Sequence, residues 1–520
     1  MNTSKNNLST TLYSTAAIVT GLSVAERALG FLYRIVLSRF IGAEALGLYQ
    51  VALSVFAVFL TLGTGGIPIT VSRLISKSRA ENNLQGESRA IGAGICFSLL
   101  LTVPFLLLFF LGNFRLTFLF SDERCLPVFR ILLLGLVLSS LYAVMRGAFW
   151  GKKQFLAPSI MELAEESVMV IAGVLLLRNI TNPLDGAKNA AWAAVISYLF
   201  SFSVSFFYFF LRGGKIRSPK DNFKPLYHAV APITLVRASG TLITSAVSIL
   251  LPVMLMRAGA SQSQALSDFG VMSGMVLPVL MIPATVIGSI ALVLIPELSE
   301  DYFRKNHARI FQNLARGITT ALLLSAFLLP FFYALGNELG MLAFSNALAG
   351  QMIAKGCILL LPMSVAMITT SMLNALGKEK QTFIVYFISA AALLLCIFLL
   401  PAVCGIYAYL IGMVANFTVC CVCNLFLLYK YFRGVYQHYG KRLTSTFLRA
   451  LFAVLPLSLL GRLCLILCQK TFGALLSLFF TGAFVSALSL LTWLTLRIIS
   501  GKAVKTRFLS QWQKRRDLHE

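Results

Sequence analysis

Acid is scarce in this sequence. Asp and Glu together number 19 in 520 residues, against 44 Lys and Arg, and all charged residues make up only 12% of the chain. Water-soluble domains carry about 25%, so the deficit excludes a soluble enzyme of this length. With 58% hydrophobic residues, the composition is that of an integral membrane protein. Histidine is rarer still: His228, His307, His438 and His519 are scattered, so no zinc-like ligand set forms. The phosphate-cradling pattern G-x-x-x-x-G-K-[ST] is missing, which argues against an ATP-driven machine. Nine of the ten cysteines fall in or at the ends of apolar runs, where a thiol is a small hydrophobe and not half of a disulfide or a metal ligand. No metal or other cofactor is expected, and no coupling ion is specified.

What the chain has in abundance is apolar runs of about twenty residues, the length a helix needs to cross roughly 30 Å of hydrocarbon; barrel strands would be half as long and would alternate. The fold class is therefore all-α. Fourteen spans are expected near 11–37, 45–70, 90–112, 127–149, 157–178, 189–211, 227–257, 268–295, 317–335, 352–376, 382–400, 405–429, 447–468 and 473–497. No small-x-small cleavage site follows a clean apolar core, so the first span is expected to stay.

Lys and Arg crowd alternate connections, for example Arg73, Lys77, Arg79 and Arg89, then Lys152 and Lys153, then Arg217, Arg304 and Lys441, and finally the tail from Lys502 to Arg516. The connections between them hold few bases, among them Arg115. By the positive-inside rule the protein lies in the cytoplasmic membrane with both termini cytoplasmic. The formal charge of +25 then reflects topology and attraction to anionic lipid headgroups, with no nucleic-acid partner.

The chain resembles itself. The run from Gly47 through Ile75-Ser76 matches that from Gly270 through Leu298-Ser299 at an offset of 223, and the run ending at Gly151-Lys152 matches that ending at Gly377-Lys378 at 226. A duplicated six-span unit predicts an N-lobe over 1–225 and a C-lobe over 226–430, with residues 431–520 adding two spans and a basic tail. Six is even, so both copies keep one orientation around an axis along the membrane normal, with a cavity between the lobes.

Several charges stand at membrane depth. Arg27 and Arg34 are seven apart and share one wall of span 1, about 10 Å apart along its axis. An unpaired arginine there costs about 2.5 to 3.5 kcal/mol on insertion scales, so such residues face a bundle interior or a wet cavity. With Arg237 on span 7, the first span of the second lobe, they are candidates for binding an anionic guest, because guanidinium forks match phosphate oxygens. Glu26 is a further cavity candidate, and Glu162 and Glu165 are candidates to titrate. Ion pairing is the competing account for the span 5 glutamates, Glu166 included, and for Arg130, whereas Arg73, Arg146 and Arg462 read as end-of-helix residues snorkelling to headgroups. Helix breakers suggest hinges: Gly63, Gly65, Gly66 and Pro68 in span 2, and Pro278 and Pro283 in span 8.

These residues carry a resemblance. "YRIVLSRFIGAEALGLYQVALSVF" (Tyr33 to Phe56), "GGIPITVSRLISK" (Gly65 to Lys77) and "RGAFWGKKQFLAPSIMELAEE" (Arg146 to Glu166) look like the stage V sporulation protein B family, of the polysaccharide-exporter group in the MOP superfamily, related to lipid II flippases of the MurJ type and to MATE exporters. The resemblance extends over essentially the whole chain. It implies a flippase that moves an undecaprenyl-pyrophosphate-linked cell-wall precursor between leaflets by alternating access, in spore formers for cortex peptidoglycan, with membrane lipids and cell-wall synthesis proteins as partners and a monomeric state. The span 1 motif of the lipid II flippases, SRVLGFARD, lies over "ERALGFLYR", Glu26 to Arg34; its first arginine falls on Arg27 and its second on Tyr33. Their span 8 arginine has no match in "DFGVMSGMVLP", Asp268 to Pro278. Rival readings are a MATE-like exporter of cations, which wants carboxylates in its cavity, a flippase for another lipid-linked oligosaccharide, and a membrane enzyme, which the short loops without an acid or metal constellation disfavour.

Overall fold

The computed structural model describes residues 2–111, 120–178, 180, 182–219, 223–304, 307–431, 452, 454, 456–469, 476–492 and 494. Arg115, Lys441 and the tail bases from Lys502 to Arg516 lie outside the described residues. Those described form helices and turns with no strand. In chain order the helices are α1 (Asn2–Thr64), α2 (Ile67–Ala80), α3 (Leu84–Leu111), α4 (Cys125–Gly151), α5 (Leu156–Leu176), α6 (Pro183–Leu211), α7 (Phe223–Arg257), α8 (Gln262–Gly270), α9 (Leu277–Leu280), α10 (Ile282–Phe303), α11 (His307–Phe344), α12 (Ala347–Gly356), α13 (Leu360–Ala375), α14 (Glu379–Leu399), α15 (Pro401–Cys404) and α16 (Tyr407–Tyr431), then α17 (Pro456–Gln469) and α18 (Leu476–Thr492).

Each of the fourteen expected intervals contains helix. The first two lie within α1, which is really two helices joined at Gly42 (φ 74°), a conformation open to glycine because it lacks a Cβ. Among the described residues nine helices are long and apolar enough to cross a membrane, or ten if the bent pair around Met281 is one span. The α5 helix has 21 residues, enough to cross, but it carries three glutamates. Helix starts follow local chemistry: the Asn182 side chain accepts from Leu184 N at 3.1 Å before α6, and Asn346 accepts from Ala349 N at 2.9 Å before α12. Cys125, the tenth cysteine, opens α4 and is fully buried.

The chain forms two compact units, residues 1–274 and 275–520. In the first, Ile67, Val71 and Ile75 of α2 pack with Ile91 and Phe97 of α3, Val144 and Phe149 of α4 and Val230 of α7. In the second, Ile287 and Leu298 of α10 pack with Ile310 and Leu314 of α11 and with Ile368, Met372 and Leu373 of α13.

The two units repeat the same interhelical bonds. Ser76 Oγ donates to Gly151 O at 3.4 Å, joining α2 to α4; Ser299 Oγ donates to Ala375 O at 2.9 Å, joining α10 to α13. Thr102 and Ser140 pair hydroxyls at 3.5 Å between α3 and α4, and Ser325 donates to Ser364 at 2.5 Å between α11 and α13. The turn after α4 closes with Gln154 N on Phe149 O (2.9 Å), and the turn after α13 with Lys378 N on Leu373 O (3.0 Å). These bonds align the units in one register, in which Gly151 corresponds to Ala375. The breaks match as well. Gly65 and Gly66 separate α1 from α2, which begins Ile67-Pro68-Ile69-Thr70-Val71; Met281 separates α9 from α10, which begins Ile282-Pro283-Ala284-Thr285-Val286. Proline is pre-organised for a first helical turn because it has no N–H to satisfy.

Candidate functional site

The charged span 1 residues gather with those of α4 and α5 inside unit 1. The helices α1 and α5 approach through two glycines. A Cβ on Gly30 would stand 2.8 Å from Glu166 Oε1, and one on Gly173 would stand 2.5 Å from the Tyr33 ring. Arg27, Gly30 and Arg34 follow the i, i+3, i+7 spacing of one helix face. The Glu166 carboxylate therefore lies against α1 midway between the two arginines, and it interacts electrostatically with Arg34 and with Glu26.

Beside it lies an ion pair. Arg146 Nη1 of α4 donates to Glu162 Oε1 of α5 at 2.9 Å, with the side chains 29% and 23% exposed. The guanidinium also rests over the rings of Tyr142 (5.9 Å) and Trp150 (5.3 Å). Arg146 is thus corrected from a headgroup-snorkelling residue to an internal partner. Its carboxylate lies just across the short turn between α4 and α5, so the pair forms at little cost in chain entropy. The expected pairing of a span 4 arginine with a span 5 glutamate occurs, but through Arg146; Arg130 is exposed. Arg462 turns to Tyr333, with Nη1 3.4 Å from the phenol oxygen.

Glu26 faces Glu162, Arg27 and Arg146 electrostatically, and Glu165 reaches Ser201 of α6. Arg27 is exposed and forms no salt bridge among the described residues. Of the candidates named from sequence, Glu26, Arg27, Arg34, Glu162 and Glu165 thus come together, whereas Arg237 stands exposed on α7 outside the interactions that surround them. Glu166 and Arg146 belong to the cluster and were not singled out as site residues. So does Tyr33, which is 3% exposed and whose hydroxyl has no hydrogen-bond partner among the described residues. The signal for Tyr33 was its place one turn after Gly30 on the α5-facing side of α1, and it was hidden because an apolar span accepts a tyrosine without comment.

The break between α1 and α2 is also a packing site. A Cβ on Gly66 would fall 2.7 Å from Val230 O and one on Gly65 3.3 Å from Thr234 Cα, so α7 backbone rests on the break. Gly63 faces the Thr102 and Leu136 side chains, and Pro68 is buried against Gly147. In unit 2, Pro278 lies within α9 and Pro283 in the first turn of α10, on either side of Met281.

The nine or ten described helices long and apolar enough to cross a membrane define an all-α membrane protein, and two solved structures share its fold. A MurJ lipid II flippase in an inward closed conformation superimposes with a TM-score of 0.71 over 94% of this chain and 99% of its own, at 12% identity. An inward-facing MATE multidrug transporter of the MOP superfamily gives 0.63 over 81% and 95%, at 15% identity. The chain belongs to the polysaccharide biosynthesis protein family, whose model matches residues 13–301. It is similar to stage V sporulation protein B of Bacillus subtilis (strain 168), 27% identical over 337 residues, which is 62% of this chain and 64% of that one. It is also similar to the lipid II flippase MurJ of the same organism, 24% identical over 331 residues, 58% and 60% of the two chains. The alignments thus span less than two thirds of these relatives' lengths.

Proposed function

We propose that the chain is a flippase, a transporter and not an enzyme, that moves an undecaprenyl-pyrophosphate-linked cell-wall precursor across the cytoplasmic membrane by alternating access, for cortex peptidoglycan in a spore former. Arg27 is the observation that carries this reading. It stands at membrane depth, exposed and without a salt bridge, while the nearby Arg146 is committed to Glu162. A guanidinium left free in that setting is costly unless a guest uses it, and a pyrophosphate, itself far costlier to place in hydrocarbon, is the complementary guest. Arg34, beside Glu166, and Glu26 flank the same face, and Arg237 is a further anion-contacting candidate. The lobes are read as 1–225 and 226–430, with residues 431–520 alongside, and the hinges as the glycine break at Gly63, Gly65, Gly66 and Pro68 and the break flanked by Pro278 and Pro283. Glu162 and Glu165 are the candidates to titrate during the cycle. Both termini are read as cytoplasmic and the protein as a monomer.

One observation favours a second reading. Glu26, Glu162, Glu165 and Glu166 outnumber Arg27, Arg34 and Arg146 in the cluster, and a surplus of carboxylate suits a MATE-like exporter of cations. The same experiment separates the two: purified protein in liposomes is offered a fluorescent lipid-linked pyrophosphate sugar, and in parallel a cationic dye. Flipping of the lipid without dye export supports the flippase; dye export without lipid flipping would replace it.

A further inference from the structure

In unit 1 the end of α2 meets the end of α4 over a surface filled by ions. Beyond the Ser76 bond to Gly151, Arg79 donates to Lys152 O at 3.3 Å and pairs with Glu87 at 3.5 Å, and Glu87 in turn holds the Lys152 ammonium at 2.7 Å. In unit 2 the serine bond is kept and the ions are gone. Three residues past Ser299 stands Tyr302 in place of Arg79, after Ala375 stands Leu376 in place of Lys152, and the fourth residue of α11 is the buried Ile310 in place of Glu87, the fourth residue of α3. Where the ion cluster would lie, a cavity of about 400 Å³ has Ser299, Tyr302, Phe303, Asn374, Leu376 and Glu379 among its lining residues.

The chemistry of this cavity points to an organic cation. Glu379, the first residue of α14, has no salt bridge among the described residues, and the residue at the same register position in unit 1 is Phe155, just before α5. Two bases near the cavity have partners of their own: Arg304 pairs with Glu300 at 2.6 Å, and Lys378 lies 4.5 Å from the centre of the Tyr431 ring, while Lys380, next to Glu379, is exposed. Two helices end here, α10 at Phe303 and α13 at Ala375, and helix C-termini carry partial negative charge. Tyr302 and Phe303 meet edge to face at 6.1 Å and offer ring faces of the kind that attract ammonium groups. Glu379 is the one carboxylate in the lining, and among the described residues no group of three His, Cys, Asp or Glu side chains stands ready to hold a metal ion. From Glu379 the i+4 and i+8 positions of α14 are Phe383 and Phe387, stacked edge to face at 4.9 Å and 38% and 41% exposed, an apolar stripe running away from the carboxylate.

We propose that this cavity binds a membrane lipid with an ammonium headgroup, the ammonium between Glu379 and the Tyr302 and Phe303 rings and an acyl chain along Phe383 and Phe387. The site is independent of the translocation reading, and its test measures lipid retention alone. Full-length protein in detergent is titrated with phosphatidylethanolamine or phosphatidylglycerol of the same acyl chains and examined by native mass spectrometry. Wild type should retain phosphatidylethanolamine preferentially. Glu379→Gln, and separately Tyr302→Ala, should weaken that retention about fivefold, the size of one exposed charge or cation–π contact, and leave phosphatidylglycerol unchanged. Glu81→Gln, at the corresponding helix end of unit 1, should change neither. Glu379→Gln removes no described hydrogen bond or ion pair, so it remains informative if Tyr302→Ala fails to fold. Equal retention of the two lipids by wild type, or full retention of phosphatidylethanolamine by Glu379→Gln, would overturn the site. Competition by free ethanolamine at the lipid's own concentration would overturn the assignment to a lipid.

Discussion

Replacing Arg146 by Met separates structural charge from working charge. The methionine keeps an unbranched apolar stem between Tyr142 and Trp150 but removes the partner of Glu162, held at 2.9 Å with less than a third of either side chain exposed. Two unit charges about 4 Å apart attract by roughly 4 kcal/mol at an effective dielectric near 20, and stripping one partner from a buried pair costs about 3 to 5 kcal/mol because the other is left uncompensated. Water reaches this pair in part, so about 3 kcal/mol is the expected loss. Glu26, already facing Glu162, adds like-charge repulsion once the arginine is gone. Neutralising the orphan should undo most of the damage: Arg146→Met with Glu162→Gln should recover at least half of the lost stability. The measurement is denaturant or thermal unfolding of all four members of the cycle in one detergent. If Arg146→Met is as stable as wild type, or if Glu162→Gln gives no rescue, the pair does not hold α4 to α5 and the assignment of Arg146 fails.

Arg27 should behave in the opposite way. Arg27→Ala should insert and unfold like wild type yet lose translocation of a lipid-linked pyrophosphate, Arg27→Lys should be partly active because an ammonium lacks the bidentate fork, and normal translocation with lowered stability in Arg27→Ala would make it a structural residue. Gly270→Ala should cost more than about 3 kcal/mol or abolish folded yield, as severe overpacking does, since its Cβ would stand 2.1 Å from Ala43 O; a stable Gly270→Ala protein by size-exclusion chromatography would contradict that packing. Arg124 takes Asp122 through three nitrogens and Glu44 at 2.8 Å, which holds its guanidinium in the charged form more firmly than usual through the Asp122 hydrogen bond first. Asp122 is only 4% exposed, so Arg124→Ala should lower the melting temperature, and adding Asp122→Asn should restore part of it; an unchanged melting temperature would show the clamp to be idle.

The fold could be read from sequence wherever one physical requirement dominated. Twenty apolar residues in a row have few alternatives to a spanning helix, because every backbone N–H must be satisfied in hydrocarbon. Register was harder. Matching Gly151 to Gly377 gives an offset of 226, but the bonds align Gly151 with Ala375. The left-handed residue after α4 is Lys153 (φ 59°) and after α13 is Gly377 (φ 72°), so the same turn is made by different residues and a glycine match misleads. The paired Ile-Pro-x-Thr-Val starts are masked in the sequence because α10 has 22 residues and α2 has 14, which shifts the offset between the prolines relative to that between the serines that follow. In the site, charges at membrane depth announced themselves by their cost. Which of them were paired could not be told from linear position: Arg146, near a helix end, looks like a residue reaching for headgroups until α5 is folded back against it.

The contact between Gly47 and Gly270 has a mechanical meaning. A Cβ on Gly47 would lie 2.0 Å from Leu266 O and one on Gly270 2.6 Å from Gly47 N, so α8 and the second half of α1 touch backbone to backbone. Side chains can slip past one another by changing rotamer, but two main chains at van der Waals range have no such slack. The pair works as a weld: whatever displaces α8 must carry the second half of α1 with it, and the compliance has to be found at the ends of the welded piece. At one end that place is already visible, where Gly42 interrupts α1 with a backbone conformation that belongs to no helix. A probe distance measured from before Gly42 to α8 should therefore fluctuate more than one measured from Gly47 to Gly270.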